Sequence, residues 1–174
     1  MNRILTYTFL LLAFLAHAQV KTVFDVARKG NLQEIQEIYA SNPKLIDTPD
    51  ERQSSPLILA CYRGNTEVAL FIAEKTKNLN YNSGTGTALM AAVMSGNPTI
   101  TQKLIDLKAD LNQADTQGKT ALIYATFFNK TDIVKQLVAA GANKNSKDND
   151  NRTALDYATF NKNTELIILL NKQQ

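Results

Sequence analysis

The sequence predicts an all-α solenoid of about five helix–turn–helix units joined by β-hairpin-like loops. A motif that starts with a hydroxyl residue and continues with small and apolar residues recurs at spacings of 32, 33 and 33 residues. After each copy a turn is followed by a second apolar pattern with spacings of three and four, which marks one face of a helix. Periods of this length indicate stacked units that bury their apolar faces against one another. The four copies begin at Ser55, Thr87, Thr120 and Thr153.

The turn between the two helices of a unit locates a fifth copy. Gly30-Asn31 lies 34 residues before Gly64-Asn65, and a second-helix pattern of Ile35, Ile38 and Tyr39 follows it. We therefore expect one domain over residues 19–174. Its predicted repeats cover roughly residues 22–48, 49–81, 82–114, 115–147 and 148–174.

Local sequence chemistry supports these helix boundaries. The hydroxyl residue at each motif start is a natural N-cap, and Pro56 occupies a first helical position, where a missing N–H costs nothing. The turn residues of the first four copies can adopt positive φ cheaply, whereas Lys162 in the last copy cannot, at roughly 1 kcal/mol. The last repeat is thus predicted to fray most easily. The four favourable turn residues are Gly30, Gly64, Gly96 and Asn129.

The first 18 residues have the layout of a secretory signal peptide. Arg3 precedes an apolar run over residues 4–16, and Ala16-His17-Ala18 provides a small-x-small cleavage site. The apolar run is shorter than a membrane-spanning helix, which needs roughly 20 residues. We expect cleavage after Ala18, with a retained N-terminal anchor or an apolar start to the fold as the alternatives.

Composition excludes most common catalytic and metal chemistry. His17 is the only histidine in the chain, and the predicted cleavage removes it, so histidine-based nucleophile pairs and zinc sites cannot be assembled. Cys61 is the only cysteine and lies in an apolar stretch, where a buried thiol is expected. Cleavage also removes Arg3, leaving 18 basic against 16 acidic residues, a balance that does not indicate nucleic-acid or membrane binding. No catalytic residue, cofactor or metal is expected.

The repeats resemble those of the ankyrin family. The segment at residues 109–122, Ala-Asp-Leu-Asn-Gln-Ala-Asp-Thr-Gln-Gly-Lys-Thr-Ala-Leu, closely resembles that family's hairpin and helix start, and the match extends over roughly residues 22–174. The resemblance implies an extended concave surface that binds a protein. The family's usual histidine at the helix start is absent, which puts the hydrogen bonds between neighbouring hairpins in doubt. Its positions carry Ile58, Met90, Ile123 and Asp156.

Other departures concern one hairpin and the two ends. The loop before Thr87 is one residue short. The terminal copies are more polar, and polar end caps are expected because their outer faces lack a neighbour. We align Asp25 with the position of Leu59, Ala91, Tyr124 and Tyr157, and Asn171 with that of Ala73, Ile105 and Val138.

The two positions before each turn are candidate partner-binding residues. They match the family's variable concave positions and form a ladder of large apolar groups, the side chains that dominate interface cores. The alternative is that Tyr62, Phe127 and Phe160 lean sideways and serve as core, an interpretation that fits Phe128 least well. The predicted partner-binding residues are Tyr62, Arg63, Met94, Phe127, Phe128 and Phe160.

Weaker candidate surfaces lie at the hairpin tips and at a basic corner. Arg28, Lys29, Arg52 and Arg63 could meet beside Tyr62, although a solvated rim is the simpler interpretation. The hairpin tips are polar and mixed in charge, as solvated loops are. The acid-rich stretch around Asp148 lacks the spacing of a calcium-binding EF-hand loop, so we assign it to an ordinary hairpin.

These observations favour a non-enzymatic interaction module, exported to the periplasm or secreted. It would be a monomer that binds an unidentified protein through the concave inner-helix face and the hairpin tips. The alternative is an accessory or inhibitory subunit that protects or silences a specific exported enzyme. Catalysis would need carboxylates or a Ser-Lys pair on the concave face, where only Asp25 and Asp156 lie near helix starts.

Overall fold

The computed structural model describes residues 21–172, and the predicted signal peptide therefore lies outside the described residues. Within that range the chain forms ten α-helices and one 3-10 helix, Pro43–Asp47. Among these helices, none is long and apolar enough to cross a membrane. The α-helices are α1 (Val23–Lys29), α2 (Leu32–Ser41), α3 (Pro56–Arg63), α4 (Thr66–Lys75), α5 (Ala88–Ser95), α6 (Pro98–Asp106), α7 (Ala121–Phe127), α8 (Thr131–Ala139), α9 (Ala154–Phe160) and α10 (Thr164–Asn171).

The helices form two layers. The odd-numbered helices pack side by side in an inner row, each against the next, and the even-numbered helices do the same in an outer row. One continuous core runs between the rows, from Val23 in the first unit to Leu170 in the last. The predicted all-α solenoid of five helix–turn–helix units is therefore confirmed.

The predicted N-caps start the inner helices. The hydroxyls of Ser55, Thr87, Thr120 and Thr153 each accept a hydrogen bond from the backbone N–H three residues later. The first and last inner helices add a reciprocal capping box, in which Asp25 accepts from Thr22 N and Asp156 from Thr153 N. Asp25 thus occupies the position of Ile58, Met90, Ile123 and Asp156, and its predicted alignment with Leu59 is wrong by one residue.

Four of the five turns use a left-handed residue: Gly64, Gly96 and Asn129, as expected, and also Lys162, for which this conformation is unfavourable. The φ angles are 66° at Gly64, 71° at Gly96, 57° at Asn129 and 54° at Lys162. Gly30 differs, because its φ of −84° suits any residue. A Cβ on Gly30 would lie 2.6 Å from the Val26 Cα, so the close approach of the chain requires glycine there.

The core confirms the expectation for Cys61. Its side chain is fully buried in α3, and burial raises the pKa of the thiol well above its usual range. The thiol therefore stays protonated and packs as a small apolar group.

Hydrogen bonds link neighbouring hairpins without the family's usual histidine. Thr116 N donates to Gly84 O at 3.0 Å, and Asn149 N donates to Gln117 O at 3.0 Å. The shortened hairpin has only Tyr81 between Asn80 and Asn82, and the missing residue belongs to this position. The Tyr81 hydroxyl donates to Gln53 O at 3.1 Å and ties that hairpin to the preceding one.

Asparagine side chains also join the helical units. Asn65 Nδ2 donates to Gly30 O at 2.9 Å, and Asn161 Nδ2 donates to Thr126 O at 2.9 Å. The Asn65 amide satisfies the carbonyl group of Gly30, just past the end of α1, whereas Thr126 O also accepts from Asn129 N. Each of the two amides links the end of one inner helix to the repeat before it.

The C-terminal end of the solenoid is less polar than predicted. Asn171 is exposed there, but so are two large apolar side chains, Phe160 and Ile168. Phe160 occupies the register position of Phe127, which packs against the following repeat. Its exposure follows from the lack of a following repeat in the described part of the chain.

We expect Lys162→Gly to stabilise the chain by about 1 kcal/mol, because glycine removes the strain of a left-handed lysine. Urea denaturation should show the higher midpoint, and amide hydrogen exchange in α10 should slow. Lys147→Gly is the matched control. Its backbone is not left-handed, so it should leave stability unchanged or lower it. Equal effects of the two substitutions would contradict the strain argument.

Candidate protein-binding surface

The six candidate residues lie at the C-terminal ends of four inner helices. Tyr62 and Arg63 end α3, Met94 lies near the end of α5, Phe127 ends α7 with Phe128 directly after it, and Phe160 ends α9. Exposure is 81% for Phe160, 54% for Tyr62, 46% for Phe127 and 39% for Phe128. Arg63 is also exposed, whereas Met94 is half-buried. The structure thus places five of the six on the surface.

The phenylalanines of α7 belong to a cluster of four aromatic rings. Phe127 meets Tyr157 of the next repeat edge-on, with ring centroids 5.4 Å apart, and meets Phe128 edge-on at 5.0 Å. Phe128 stacks on Tyr124, with centroids 6.1 Å apart and planes 10° from parallel. Phe127 therefore leans sideways, as the core alternative proposed, yet keeps nearly half of its surface exposed.

The order of exposure differs from the expectation for Phe128. It was the residue that fitted a core role least well, but it is the least exposed of the four candidate aromatics. Stacking on Tyr124 covers one of its faces. Phe160 is the residue that a core role fits least.

Two hairpin carboxylates hold the tyrosines of this cluster. Tyr124 Oη donates to Asp115 Oδ2 at 2.6 Å, and Tyr157 Oη donates to Asp148 Oδ2 at 2.5 Å. Each carboxylate also accepts from two backbone N–H groups of its own turn. Each tyrosine is therefore held by a hydrogen bond at its hydroxyl group and by a phenylalanine packed against its ring.

Lys119 contacts both of these carboxylates and so connects the two hairpins. Its backbone N–H donates to Asp115 Oδ1 at 2.9 Å, and its Nζ lies 3.8 Å from Asp148 Oδ2. Together with the four aromatic rings, these three residues form what we call the aromatic platform. It spans the hairpins and inner helices of the last two repeats, so hairpin tips and concave face form one connected surface there.

The charge of Asp148 within the platform is stable at neutral pH. Burial by itself would raise the pKa of Asp148, but the Tyr157 hydroxyl, two backbone N–H groups and Lys119 together hold the pKa below its usual range. Burial and the hydrogen bond to Asp115 raise the pKa of Tyr124, and burial and Asp148 raise that of Tyr157. The carboxylate remains charged and both hydroxyls remain donors.

Sequence reasoning missed the supporting half of the platform. An aspartate nine residues before a tyrosine recurs one period apart, as Asp115 with Tyr124 and Asp148 with Tyr157. That repeated spacing was a usable signal. Asp148 serves as a hydrogen-bonded hairpin residue, in agreement with the assignment of this stretch to an ordinary hairpin, and the described residues contain no metal-binding group of acids, cysteine or histidine.

One of the four residues of the predicted basic corner forms an ion pair. Arg28 lies 3.6 Å from Asp50, whereas Lys29, Arg52 and Arg63 are exposed, with no carboxylate within ion-pair distance among residues 21–172. The two carboxylates considered for catalysis, Asp25 and Asp156, are both taken up by helix caps, whose hydrogen bonds lower their pKa values. They lie in the first and the last repeat.

A family model described as ankyrin repeats (3 copies) matches residues 23–115 and residues 89–174. The chain belongs to the ankyrin-repeat family. A curated relative is the ankyrin repeat and SAM domain-containing protein 6 of Rattus norvegicus, 31% identical over 100 residues. That match covers 56% of this chain and 11% of the relative, so this chain spans a small part of the relative's length.

Membership of the ankyrin-repeat family sets the coarse function. Ankyrin repeats generally mediate protein–protein interaction, and the family is typically non-enzymatic. In this ankyrin-repeat chain the exposed aromatic groups lie where the family's variable concave positions are expected.

We expect Asp148→Asn to lower the free energy of unfolding of the ankyrin-repeat chain by about 1 to 2 kcal/mol at neutral pH, because a buried charged acceptor is lost. Asparagine fits this turn, since Asn82 Oδ1 accepts from Gly84 N at the matching position. The folded pKa of Asp148 is lowered, so its contribution is full above the ordinary value of 3.8 and is lost as pH falls through the folded pKa.

Urea denaturation from pH 7 to pH 2 measures this effect. The difference between the wild type and Asp148→Asn should be constant near neutrality and shrink in acid. Asp150→Asn is the control, because it removes the same charge from an exposed position of the same turn. A wild-type advantage that did not change with pH would contradict the charged role of Asp148.

Proposed function

We propose that this chain is a non-enzymatic module, exported to the periplasm or the cell exterior, that captures a protein partner on its aromatic platform. The observation that carries the proposal is the exposure of Phe127, Phe128 and Phe160 along the ends of two adjacent inner helices. Aromatic side chains with so much surface in water are costly in isolation and supply a large share of binding energy when covered.

The rigidity of the platform favours binding. Phe127 and Phe128 are held by Tyr157 and Tyr124, which are in turn held by hairpin carboxylates. A partner that covers these rings therefore loses little of its binding energy in ordering them. Phe160 adds an exposed apolar ring at the equivalent position of the next repeat, beside the aromatic platform.

Spare catalytic groups are scarce on this surface. The carboxylates of Asp115, Asp148 and Asp156 all accept hydrogen bonds that the fold needs. The thiol of Cys61 is buried. These assignments favour binding over chemistry as the role of the inner face.

The proposal that the chain is exported depends on the signal-peptide pattern of residues 1–18. If the signal peptide is cleaved, the purified chain should begin at Gln19 and appear in the periplasmic or extracellular fraction. N-terminal sequencing and cell fractionation measure both properties. An intact Met1 on a cytoplasmic chain would contradict export and leave the binding proposal in place.

We expect the double variant Phe127→Ala, Phe128→Ala to capture much less of the partner from the compartment in which the chain is found. Losing an interface anchor typically costs about 2 kcal/mol or more, which corresponds to a roughly 30-fold weaker affinity. Pull-down with quantitative mass spectrometry, wild type against variant, is the measurement. Phe160→Ala should weaken capture without affecting the cluster rings.

The matched control is Leu32→Ala, Ile168→Ala. It removes two exposed apolar side chains from the outer helices α2 and α10. Circular dichroism melting verifies that every variant is folded. Equal capture by the wild type and the Phe127, Phe128 variant would eliminate the platform as the binding surface, whereas loss on the outer-helix variant alone would place binding on the convex side.

A further inference from the structure

The five repeats meet at four joints, and a hydrogen bond from an asparagine amide closes three of these joints on one side. This side, which we call the turn edge, is where each inner helix ends and its outer helix begins. The asparagine directly precedes the outer helix in each case, and its amide donates to the repeat before it. The bonds run from Asn65 to Gly30 (2.9 Å), from Asn97 to Thr66 (2.8 Å) and from Asn163 to Asn129 (2.6 Å).

The joint between the third and fourth repeats has no such bond among the described residues. Lys130 occupies the asparagine position and gives α8 no side-chain cap, and Pro98 stands where the second repeat has the Thr66 hydroxyl. No ion pair within residues 21–172 crosses this joint, whereas at least one crosses each of the other three. Those ion pairs are Arg28 with Asp50, Lys103 with Glu74, Lys119 with Asp148 and Lys135 with Glu165.

One long hydrogen bond joins the outer helices at the third–fourth joint. Gln136 Nε2 donates to Pro98 O at 3.3 Å, while Gln136 Oε1 is buried and accepts no hydrogen bond from the described residues. Gln113 Oε1, in the segment that links α6 to α7, is also buried without a partner in that part of the chain. A buried acceptor without a donor costs free energy, so the polar groups of this joint oppose its close packing.

The opposite side of the same joint, where the hairpins lie, is tied by hydrogen bonds. Thr116 N donates to Gly84 O at 3.0 Å, and Asn143 N donates to Asn112 Oδ1 at 2.8 Å. We call this side the hairpin edge. A joint that is held at one edge and poorly satisfied at the other has the arrangement of a hinge, because rotation about the held edge breaks few polar contacts.

The aromatic platform ties the fourth repeat to the fifth. Phe127 meets Tyr157 with ring centroids 5.4 Å apart, and Lys119 Nζ lies 3.8 Å from Asp148 Oδ2. The asparagine bond from Asn163 closes the turn edge of the same joint. The last two repeats therefore form one unit beyond the weaker joint.

We propose that the solenoid flexes at the joint between the third and fourth repeats, by opening at the turn edge and rotating about the hairpin edge. The fourth and fifth repeats move as one body and carry the aromatic platform with them, while Tyr62 and Met94 stay with the first three repeats. Such flexing is independent of what the platform binds, and so goes beyond the proposed function.

Pulsed electron paramagnetic resonance with pairs of spin labels tests this in the purified chain. The test pair, Glu67→Cys and Asp132→Cys, spans the third–fourth joint, and the control pair, Gln33→Cys and Thr99→Cys, spans the first two joints. All four residues are exposed and second in their outer helices, and the members of each pair lie two repeats, or about 20 Å, apart. Cys61 is fully buried and stays unlabelled. We expect a broader distance distribution for the test pair.

Restoring the missing bond should narrow the distribution of the test pair. Lys130→Asn with Pro98→Thr recreates the pairing of Asn97 with Thr66, and should lower the open population by about 2- to 10-fold relative to Lys130→Asn alone, the range for one net hydrogen bond. Lys130→Asn is the matched control, because it adds a helix cap without an acceptor hydroxyl. Pro98→Thr alone adds the hydroxyl without a donor.

Equal distribution widths for the two labelled pairs would overturn the hinge, and so would a double variant that is no narrower than Lys130→Asn. Circular dichroism verifies that each labelled chain is folded. Neither measurement involves a partner, so the hinge stands or falls separately from the capture that Phe127 and Phe128 are proposed to support.

Discussion

The packing of each helix pair against its neighbours is the constraint on which the rest of this structure depends. An inner and an outer helix of seven to ten residues cannot bury an apolar face alone, and isolated helices of this length are marginal in water. Stacking five pairs joins their faces into one core that runs from Val23 to Leu170. Caps, left-handed turn residues and asparagine links all serve to hold the pairs in register.

That register also produces the aromatic platform. Because the repeat is nearly constant in length, Tyr124 and Tyr157 occupy equivalent positions in adjacent repeats, and Phe127 lies between the two inner helices. The hairpin carboxylates then fix both tyrosines through short hydrogen bonds. The same contacts that stack the last two repeats therefore present Phe127 and Phe128 at the surface in a fixed arrangement.

The two ends of the solenoid differ in how polar their exposed groups are. At the start, the Thr22–Asp25 capping box and the tight Gly30 turn close the first helix pair with polar groups. At the other end the capping box of Thr153 and Asp156 is present, but Phe160 is left largely exposed. The register position that Tyr157 covers in the fourth repeat is uncovered in the fifth, which extends the apolar strip available to a partner.

The sequence by itself determined the all-α fold, the number of repeats, the N-caps and the left-handed turns at Gly64, Gly96 and Asn129, because these depend on local chemistry and on a period that can be counted. Of the six candidates chosen by their position before each turn, five are exposed and Met94 is half-buried. The sequence did not determine that Gly30 is required by close approach, that Phe128 is partly covered by Tyr124, or that Lys119 links Asp115 to Asp148. Those features depend on distances between residues of different turns and repeats, which only the stacked tertiary structure sets.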